Sequence, residues 1–320
     1  MSFRIIGTGS ALPARSVTND DLSRFLDTSD EWIFTRTGIK ERRICTTETL
    51  DELAVAASGR ALEAAGIRAA DLDLIVCSTT SGDHLMPAEA CAVAHGLGAA
   101  CPAFDVSAAC AGFVYALDVA DGFLARGRAR RALVVAAEKM SRLLDWEDRA
   151  TCVLFGDGAA ACVLEAGGES PLALELSCDP DLRALSVPGV GGTSPFCPER
   201  AGARSVLAME GQRVFKFGVN AICNAVRALA DDAGIELSDI DHFVFHQANE
   251  RILAAASSRL KIDDARVART LSTTGNISSA CIPLTLDALV REGSLTSGQL
   301  VALVGFGAGL DVGSCLMRWS

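Results

Sequence analysis

AAGIRAADLDLIV at residues 64–76 and DAGIELSDIDHFV at residues 232–244 decide how this 320-residue chain is organised. Each stretch ends a helical run at a glycine, Gly66 or Gly234, then turns through an Asp-apolar-Asp sequence into an apolar, strand-like run. Glycine is favoured there because it adopts the left-handed backbone that ends a helix. The two copies lie 168 residues apart, about half the chain, which indicates an internal duplication.

A second echo follows each copy in the same order. FVYALD at residues 113–118 resembles IPLTLD at residues 282–287, and the separation of these two segments nearly equals that of the first pair. The two echoes predict a duplicated fold with an N-terminal half, 1–168, and a C-terminal half, 169–320. Equivalent loops of the two halves are expected to meet at one shared site.

Short apolar runs alternate with helical stretches along the whole chain, which predicts an α/β layered fold with mostly parallel central strands. The strand-like runs are RIIGTG, LDLIVCST, PAFDVS, ALVVAAE, AACVLE, LALEL, DHFVFH, LVALVGF and SCLMRW.

Composition and charge exclude several classes of protein. Half of the residues are hydrophobic and 22% are charged, as in a folded globular protein. The net charge of -11 argues against nucleic-acid binding, which needs a basic surface. Residues 1–17 lack the regions of a secretory signal, and no apolar run approaches a membrane span. We expect a cytoplasmic protein that binds neither nucleic acid nor membrane.

The cysteines and glycines predict no metal and no bound cofactor. The 12 cysteines contain no CxxC pair, so zinc and thioredoxin-like sites lack the required spacing. Three glycine-rich segments, GTGSALP at 7–13, VGGTS at 190–194 and GFGAG at 305–309, match neither nucleotide-binding fingerprint.

Cys110 has the most informative setting of any cysteine. It lies in DVSAACAGF at residues 105–113, where an apolar strand gives way to small residues and a helix begins. A helix N-terminus favours thiolate over thiol, so this position is expected to lower the pKa of Cys110. We predict that Cys110 is a nucleophile.

His246 and Asn276 are the candidate partners of Cys110. His246 ends the strand-like DHFVFH and precedes the polar QANE. This setting favours a functional histidine over an ordinary core histidine. Asn276 follows Gly275, an ordinary turn pair, but it lies in the second-half echo of the Cys110 segment. Cys, His and Asn serve either peptide hydrolysis or carbon–carbon bond formation. The chain order agrees with papain-like proteases, whereas the tryptophan beside their nucleophile is missing.

With these residues in view, the chain resembles the β-ketoacyl-acyl-carrier-protein synthase III family, the initiating condensing enzymes of bacterial fatty-acid synthesis. The resemblance extends nearly from end to end. Its motifs are DEWI (30–33), RTGI (36–39), DVSAACAGF (105–113), FGDGAA (155–160), HQAN (246–249), GN (275–276) and GFGAG (305–309). The resemblance implies a thiolase-like fold of two duplicated halves in five α-β-α-β-α layers, and a homodimer.

The resemblance also implies a two-step condensation without metal or bound cofactor. Cys110 attacks a short acyl-CoA such as acetyl-CoA, forming a thioester and releasing CoA. A malonyl group on acyl carrier protein then loses carbon dioxide, and the carbanion attacks the thioester to give a 3-oxoacyl product. His246 and Asn276 would stabilise the enolate, while the backbone N–H groups of Cys110 and Ala308 would form the oxyanion hole.

Binding residues follow from the same resemblance. The residues implied for coenzyme A are Trp32, Arg36 and Asn249. The residues implied for docking the acidic carrier protein are Lys216, Arg251 and Arg259. Met86 falls where the family often has a phenylalanine that limits the acyl pocket, commonly across the dimer interface.

Related condensing enzymes fit the chain less well. Elongating enzymes have a second histidine at the position of Asn276, and thiolases have a second cysteine in the loop that here reads GFGAG. A starter-unit ketosynthase or acyltransferase of secondary metabolism is the nearest alternative. A papain-like hydrolase and a catalytically silent homologue are the others, although a silent homologue would be expected to lose Cys110, His246 or Asn276.

Overall fold

A five-stranded sheet forms the centre of the N-terminal half, in the order β1-β7-β6-β4-β5. The structure is a computed structural model that describes residues 2–189 and 206–320, so the VGGTS segment lies outside the described residues. The strands are β1 (Ser2–Ala11), β2 (Ser16–Thr18), β3 (Glu41–Arg43), β4 (Leu74–Ser78), β5 (Ala103–Val106), β6 (Arg131–Lys139) and β7 (Asp157–Gly168). The helices are α1 (Asn19–Ser23), α2 (Asp30–Thr37), α3 (Leu50–Ala65), α4 (Glu89–Leu97) and α5 (Gly112–Ala125).

A four-stranded sheet in the order β11-β12-β13-β8 forms the centre of the C-terminal half. The strands of this half are β8 (Ala173–Cys178), β9 (Leu185–Ser186), β10 (Ala208–Met209), β11 (His242–Phe245), β12 (Leu300–Gly307) and β13 (Asp311–Arg318). The helices are α6 (Gly211–Ala233), α7 (Glu250–Leu260), α8 (Leu271–Thr274) and α9 (Cys281–Arg291). The chain passes from the first sheet to the second between Gly168 and Ala173.

Both main sheets are mixed, but only β7 in the first sheet and β13 in the second run opposite to the other strands. The prediction of mostly parallel central strands therefore holds for strand direction and misses these two strands. In the first sheet β4 runs parallel to β5 and β6, while β7 is antiparallel to β6 and β1. In the second, β11 and β12 are parallel, while β13 is antiparallel to β12 and β8. Residues 308–310 alone connect β12 to β13, and a parallel connection would need a crossover of about a dozen residues or more.

The predicted duplication is confirmed in the backbone. Gly66 and Gly234 end α3 and α6 with φ of 65° and 64°, and each is followed by a 3-10 turn and a parallel strand. Ala109 and Ser278 form a second matched pair, with φ of 44° and 48°, just before α5 and α9. The same strained turn therefore precedes the central helix of each half.

The sheets and helices form five layers. Helices α3 and α4 cover the outer face of the first sheet, α5 and α9 lie between the two sheets, and α6 and α7 cover the outer face of the second. Three apolar cores lie between the layers, one beneath each outer helix layer and one around α5 and α9, and Phe113 and Ile282 are among the fully buried residues of the central one. The predicted α-β-α-β-α arrangement is confirmed. Among the described helices, none combines the length and apolar character needed to cross a membrane.

Candidate active site

Cys110 lies in the tight turn between β5 and α5, where the two halves of the protein touch. The turn, Ala109–Ala111, holds Ala109 at a φ of 44°, a conformation that costs a residue with a side chain about 1–3 kcal/mol. Gly307, at the end of β12, packs directly against this turn. A Cβ on Gly307 would lie 2.8 Å from the Cys110 nitrogen and 2.9 Å from the Cys110 Cβ. Glycine is therefore required beside Cys110.

We expect Gly307→Ala to slow acylation of Cys110 by about 10²-fold, the loss that a misplacement of roughly 1 Å can cause at a reacting group. Gly122→Ala is the matched control, because Gly122 lies in α5, the helix that follows Cys110, and an added Cβ meets nothing within 4 Å. Rapid-quench labelling with an acyl-CoA measures both variants. Equal acylation rates in the two would contradict the close approach of Gly307.

One cavity of about 290 Å³ brings residues from both halves together. Six residues predicted from the sequence line it: Trp32, Arg36, Cys110, His246, Asn249 and Asn276. Apolar side chains such as Phe155, Phe215 and Phe306 form much of the remaining wall. A small apolar cavity with a few convergent polar groups is typical of a ligand site. It is the candidate active site.

The predicted lowering of the Cys110 pKa is wrong. Cys110 is buried, and burial raises the pKa of its thiol to about 12, although a hydrogen bond with the Ser278 side chain opposes the rise. A helix terminus stabilises a nearby charge by only about 0.3–1 kcal/mol, up to roughly 2 kcal/mol in favourable geometry. Loss of hydration outweighs that contribution here, so the resting Cys110 is a neutral thiol.

His246 enters the cavity as a neutral ring. It follows β11 and is buried, and burial lowers its pKa to about 3. The ring packs edge-on against Phe306, with ring centroids 5.2 Å apart. Its Nδ1 is buried without a hydrogen-bond partner in the described part of the chain. A neutral imidazole carries one N–H, and the tautomer protonated at Nε2 can donate to a substrate oxygen.

Asn276 is held by the backbone on both sides. Its N–H donates to the Leu154 carbonyl and its carbonyl accepts from the Gly156 N–H, both at 2.9 Å. Its Oδ1 accepts from the Ser278 N–H at 2.9 Å, which leaves the Nδ2 group as the donor of the amide. Gly275 precedes it at a φ of 69°, where a Cβ would lie 2.9 Å from the Arg42 Cβ. Asn276 is thus a rigidly placed hydrogen-bond donor on the cavity wall.

Two arginines lie close to the Trp32 ring at the cavity wall. The Arg36 guanidinium lies 4.5 Å from the centre of the Trp32 ring, and that of Arg149 lies 5.1 Å from it. Asn249 caps α7 by accepting from the Arg251 N–H, and its Nδ2 donates to the Arg36 carbonyl at 3.0 Å. Asn249 therefore supports the position of Arg36, and both arginine heads are exposed enough to meet phosphate groups.

A second cavity, of about 510 Å³, is also lined by Cys110. Ala308 and Cys110, the two residues predicted to form an oxyanion hole, both line this cavity. Ala308 is not among the described residues with positive φ, so its side chain imposes no left-handed backbone strain. Leu85 lines this cavity, whereas Met86 does not, and both are 84% exposed. Within a single chain, Met86 therefore limits neither cavity.

The three basic residues predicted to dock a carrier protein are exposed on α6 and α7. Lys216 follows Phe215, and Arg251 precedes Ile252, two residues of the cavity wall. Arg259 lies two turns further along α7 and donates to Asn220 Oδ1 at 2.7 Å. The basic residues therefore follow two helices that also contribute to the cavity.

Sequence reasoning missed two residues that shape the site. Arg149 flanks Trp32 from a loop more than 100 residues away, a pairing for which the sequence has no signal. Gln247 is fully buried, donates to the Phe245 and Ala268 carbonyls and accepts from the Thr270 and Leu271 N–H groups. The position of Gln247 inside the HQAN motif was the signal that could have identified it.

The described residues contain no group of three potential metal ligands.

Comparison with known proteins decides the family. Residues 104–180 match the family model of 3-oxoacyl-[acyl-carrier-protein (ACP)] synthase III, and residues 230–319 match that of its C-terminal part. Over its full length the chain is 43% identical to the β-ketoacyl-[acyl-carrier-protein] synthase III of Clostridium acetobutylicum, 99% of which is covered. The chain belongs to the β-ketoacyl-acyl-carrier-protein synthase III family.

Solved structures agree with this assignment. The 3-oxoacyl-[acyl-carrier-protein] synthase III of Aquifex aeolicus VF5 superimposes with a TM-score of 0.92 at 39% identity, covering 99% of this chain and all of the other. The priming β-ketosynthase of the R1128 polyketide biosynthetic pathway also reaches 0.92, at 38% identity, covering 99% of this chain and 96% of the other. The predicted synthase III family and thiolase-like fold are confirmed, and the papain-like alternative is excluded.

Proposed function

We propose that this synthase III family member condenses a short acyl-CoA with malonyl-acyl carrier protein to give a 3-oxoacyl-acyl carrier protein, through an acyl-Cys110 intermediate. The observation that carries the proposal is the convergence of Cys110, His246 and Asn276 on one cavity. A buried nucleophile, a neutral ring and a rigid amide suit acyl transfer followed by stabilisation of an enolate.

In the first half-reaction, the Cys110 sulfur attacks the acyl-CoA carbonyl and the carbon–sulfur bond to CoA breaks. The N–H groups of Cys110 and Ala308 are proposed to bind the oxyanion of the tetrahedral intermediate. Trp32 would stack on the CoA adenine while Arg36 and Arg149 pair with its phosphates. Asn249 supports this arrangement through the Arg36 carbonyl. The exposed side of the cavity lets CoA leave.

In the second half-reaction, the malonyl group loses carbon dioxide and negative charge develops on its thioester oxygen. His246 Nε2–H and Asn276 Nδ2–H would donate to that oxygen, and a fixed donor of this kind is worth about 2.7–4 kcal/mol in a hydrolase oxyanion hole. Both donors are neutral, so they stabilise the enolate without protonating it fully. The carbanion then attacks the acyl group on Cys110.

The proposed partners follow from the same reaction. Lys216, Arg251 and Arg259 would attract the acidic carrier protein despite the net charge of -11. A carrier-protein affinity that is independent of salt and unchanged by charge reversal of these residues would contradict that role. Neither a metal nor a bound cofactor is needed at any step.

We also propose a cytoplasmic homodimer. The edge strand β5 pairs only with β4 in the described chain, and Leu85 and Met86 expose large apolar side chains. A second copy could cover these groups and place Met86 against the partner's acyl cavity. The described cysteines are all free, as expected in a reducing compartment. A monomer in sedimentation equilibrium at micromolar concentration would contradict the dimer.

A panel of radiolabelled acyl-CoAs tests the function. We expect acetyl or another short acyl label on the peptide that contains Cys110, and release of that label as a 3-oxoacyl product when malonyl-acyl carrier protein is added. Failure of every short acyl-CoA to label Cys110 would overturn the proposal.

A starter-unit enzyme of secondary metabolism is the second candidate, since a priming ketosynthase of a polyketide pathway has the same fold at 38% identity. The second candidate is supported if Cys110 is acylated but malonyl-acyl carrier protein of fatty-acid synthesis does not remove the acyl group. The labelling panel therefore separates the two functions in one experiment.

A further inference from the structure

Gln247 is a buried amide beside His246 that the mechanism above does not use. It lines neither of the two cavities, and its side chain is fully buried. Its Nε2 donates to two carbonyls and its Oε1 accepts from two N–H groups. Those partners are the carbonyls of Phe245 (2.8 Å) and Ala268 (3.2 Å) and the N–H groups of Thr270 (3.0 Å) and Leu271 (3.2 Å). An amide side chain has two donors and two acceptor sites, so Gln247 uses all four on the backbone.

The Nε2 group of Gln247 holds the end of β11, where His246 lies. The Phe245 carbonyl that it reaches is in the last residue of β11, so His246 stands between the two bonded residues. The His246 N–H donates to the Val304 carbonyl of β12 at 2.8 Å, and the His246 carbonyl accepts from the Ala248 N–H at 2.9 Å. The His246 backbone is therefore held through its own polar groups and through the neighbouring Gln247 side chain.

The Oε1 atom of Gln247 holds the start of α8, the short helix that leads to Asn276. Thr270, the residue before α8, makes no side-chain cap of its own, and Gln247 accepts from the first N–H groups there. The Leu271 carbonyl then accepts from the Gly275 N–H at 3.0 Å, and Gly275 directly precedes Asn276. A continuous chain of hydrogen bonds therefore leads from Gln247 to the backbone beside Asn276.

The amide of Gln247 is fixed in one orientation. Its oxygen faces two N–H groups and its nitrogen faces two carbonyls, so a half-turn of the amide would place donor against donor and acceptor against acceptor. His246 and Asn276 lie on different elements, and their separation depends on the contacts that join β11 to α8. Gln247 contacts both elements and is rigid.

We propose that Gln247 is a positioning residue that fixes the spacing of the two enolate donors, His246 and Asn276. That spacing matters for decarboxylation, the step in which both donors bind one oxygen. It matters much less for acylation, which uses the backbone N–H groups of Cys110 and Ala308. The inference rests on the proposed function, because both donors act on the enolate of that reaction.

Gln247→Glu tests the role by changing one group and keeping the shape of the side chain. One carboxyl oxygen still accepts from the Thr270 and Leu271 N–H groups, but the other lies against the Phe245 and Ala268 carbonyls. A protonated carboxyl donates one hydrogen bond to a carbonyl, whereas an ionised carboxylate donates none. Burial raises the pKa of a carboxyl, so the introduced group should ionise nearer neutral pH. The spacing should therefore be lost as the pH rises.

We expect Gln247→Glu to decarboxylate malonyl-carrier protein near the wild-type rate at pH 5.5 and about 10-fold or more slowly at pH 8. A misplacement of roughly 1 Å at a reacting group can cost about 10²-fold. The wild-type rate should be flat over this range, because His246, with a pKa of about 3, stays neutral. The charged side chains near these contacts, Arg269, Glu250 and Asp264, form ion pairs with one another and are the same in wild type and variant.

Gln299→Glu is the matched control. The Gln299 side-chain oxygen also accepts from a backbone N–H, that of Thr296, at 2.7 Å. Gln299 lies just before β12, however, whereas Gly307, which packs against Cys110, ends that strand. The same chemical change should therefore leave both half-reactions at their wild-type rates. Single-turnover release of carbon dioxide measures decarboxylation, and rapid quench with labelled acetyl-CoA measures acylation. Acylation by Gln247→Glu should follow the wild-type pH profile, which shows that the variant is folded.

Gln247→Met supplies a second variant of similar length without any of the four hydrogen bonds. We expect its decarboxylation to slow by about 10²-fold at every pH. The loss should fall on kcat rather than on KM for malonyl-carrier protein, because the donors act on charge that develops in the transition state. In an Asn276→Ala background the further loss should shrink to about threefold or less, since one of the two positioned donors is already gone.

Three results would overturn the positioning role. They are equal slowing of acylation and decarboxylation by Gln247→Met, full additivity of Gln247→Met with Asn276→Ala, and a pH profile of Gln247→Glu as flat as that of wild type. Absence of decarboxylation by the wild-type protein itself would instead contradict the proposed function.

Discussion

Substituting Cys110 with alanine is expected to abolish acyl-enzyme formation and to reduce 3-oxoacyl product below detection. No other described cysteine lies on the wall of either cavity that reaches this turn. The fully buried Cys281 is close, but its sulfur accepts from the Ile277 N–H and is directed at Asn276 Oδ1. Radiolabelled acetyl-CoA followed by peptide mapping measures the loss.

Decarboxylation provides the internal control for this variant. His246 and Asn276 do not depend on the Cys110 sulfur for their positions, so Cys110→Ala should still convert malonyl-carrier protein to acetyl-carrier protein and carbon dioxide. The carbanion then takes its proton from water. Cys110→Ser is a second test, because a hydroxyl is a far weaker nucleophile than a thiol in this turn. Substantial condensation by either variant would contradict the acyl-Cys110 intermediate.

Local patterns made the internal repeat predictable. The helix-glycine-strand pattern around Gly66 and Gly234 was visible in the sequence because it depends on residues close along the chain. The direction of β7 and β13 was not, since it depends on which strands each of them pairs with, and those pairings are distant in the sequence. The three-residue connection between β12 and β13 was an unused signal, because it allows only an antiparallel pair.

The state of the nucleophile depends on burial, which the sequence does not reveal. The start of α5 was recognised correctly, but a thiol enclosed by residues of both halves has a raised pKa regardless of the helix. The buried Glu138 was part of a predicted strand, yet the five groups that donate hydrogen bonds to it come from residues 80–81 and 278–279. A single sequence does not reveal contacts between residues about 140 positions apart.

The second large effect is expected from substituting His246 or Asn276, which should slow one half-reaction and leave the other nearly unchanged. We expect His246→Ala and Asn276→Ala each to slow malonyl decarboxylation by about 10²–10³-fold, as for loss of one fixed donor to a developing oxyanion. Acylation of Cys110 should change much less, because the proposed oxyanion hole for that step uses backbone N–H groups. Single-turnover assays of each half-reaction measure the two rates separately.

Asn276→Asp makes the test sharper than alanine does. Aspartate keeps the size of the side chain and the acceptor for the Ser278 N–H, but it replaces the Nδ2 donor with a carboxylate oxygen that repels an enolate. Its decarboxylation rate should therefore be at least as low as that of Asn276→Ala. The neutral His246 adds a pH criterion: with a pKa of about 3, it should cause no change in the decarboxylation rate between pH 5.5 and pH 8. A rate that follows an ordinary histidine titration, or equal loss of both half-reactions, would contradict two neutral donors acting on the enolate alone.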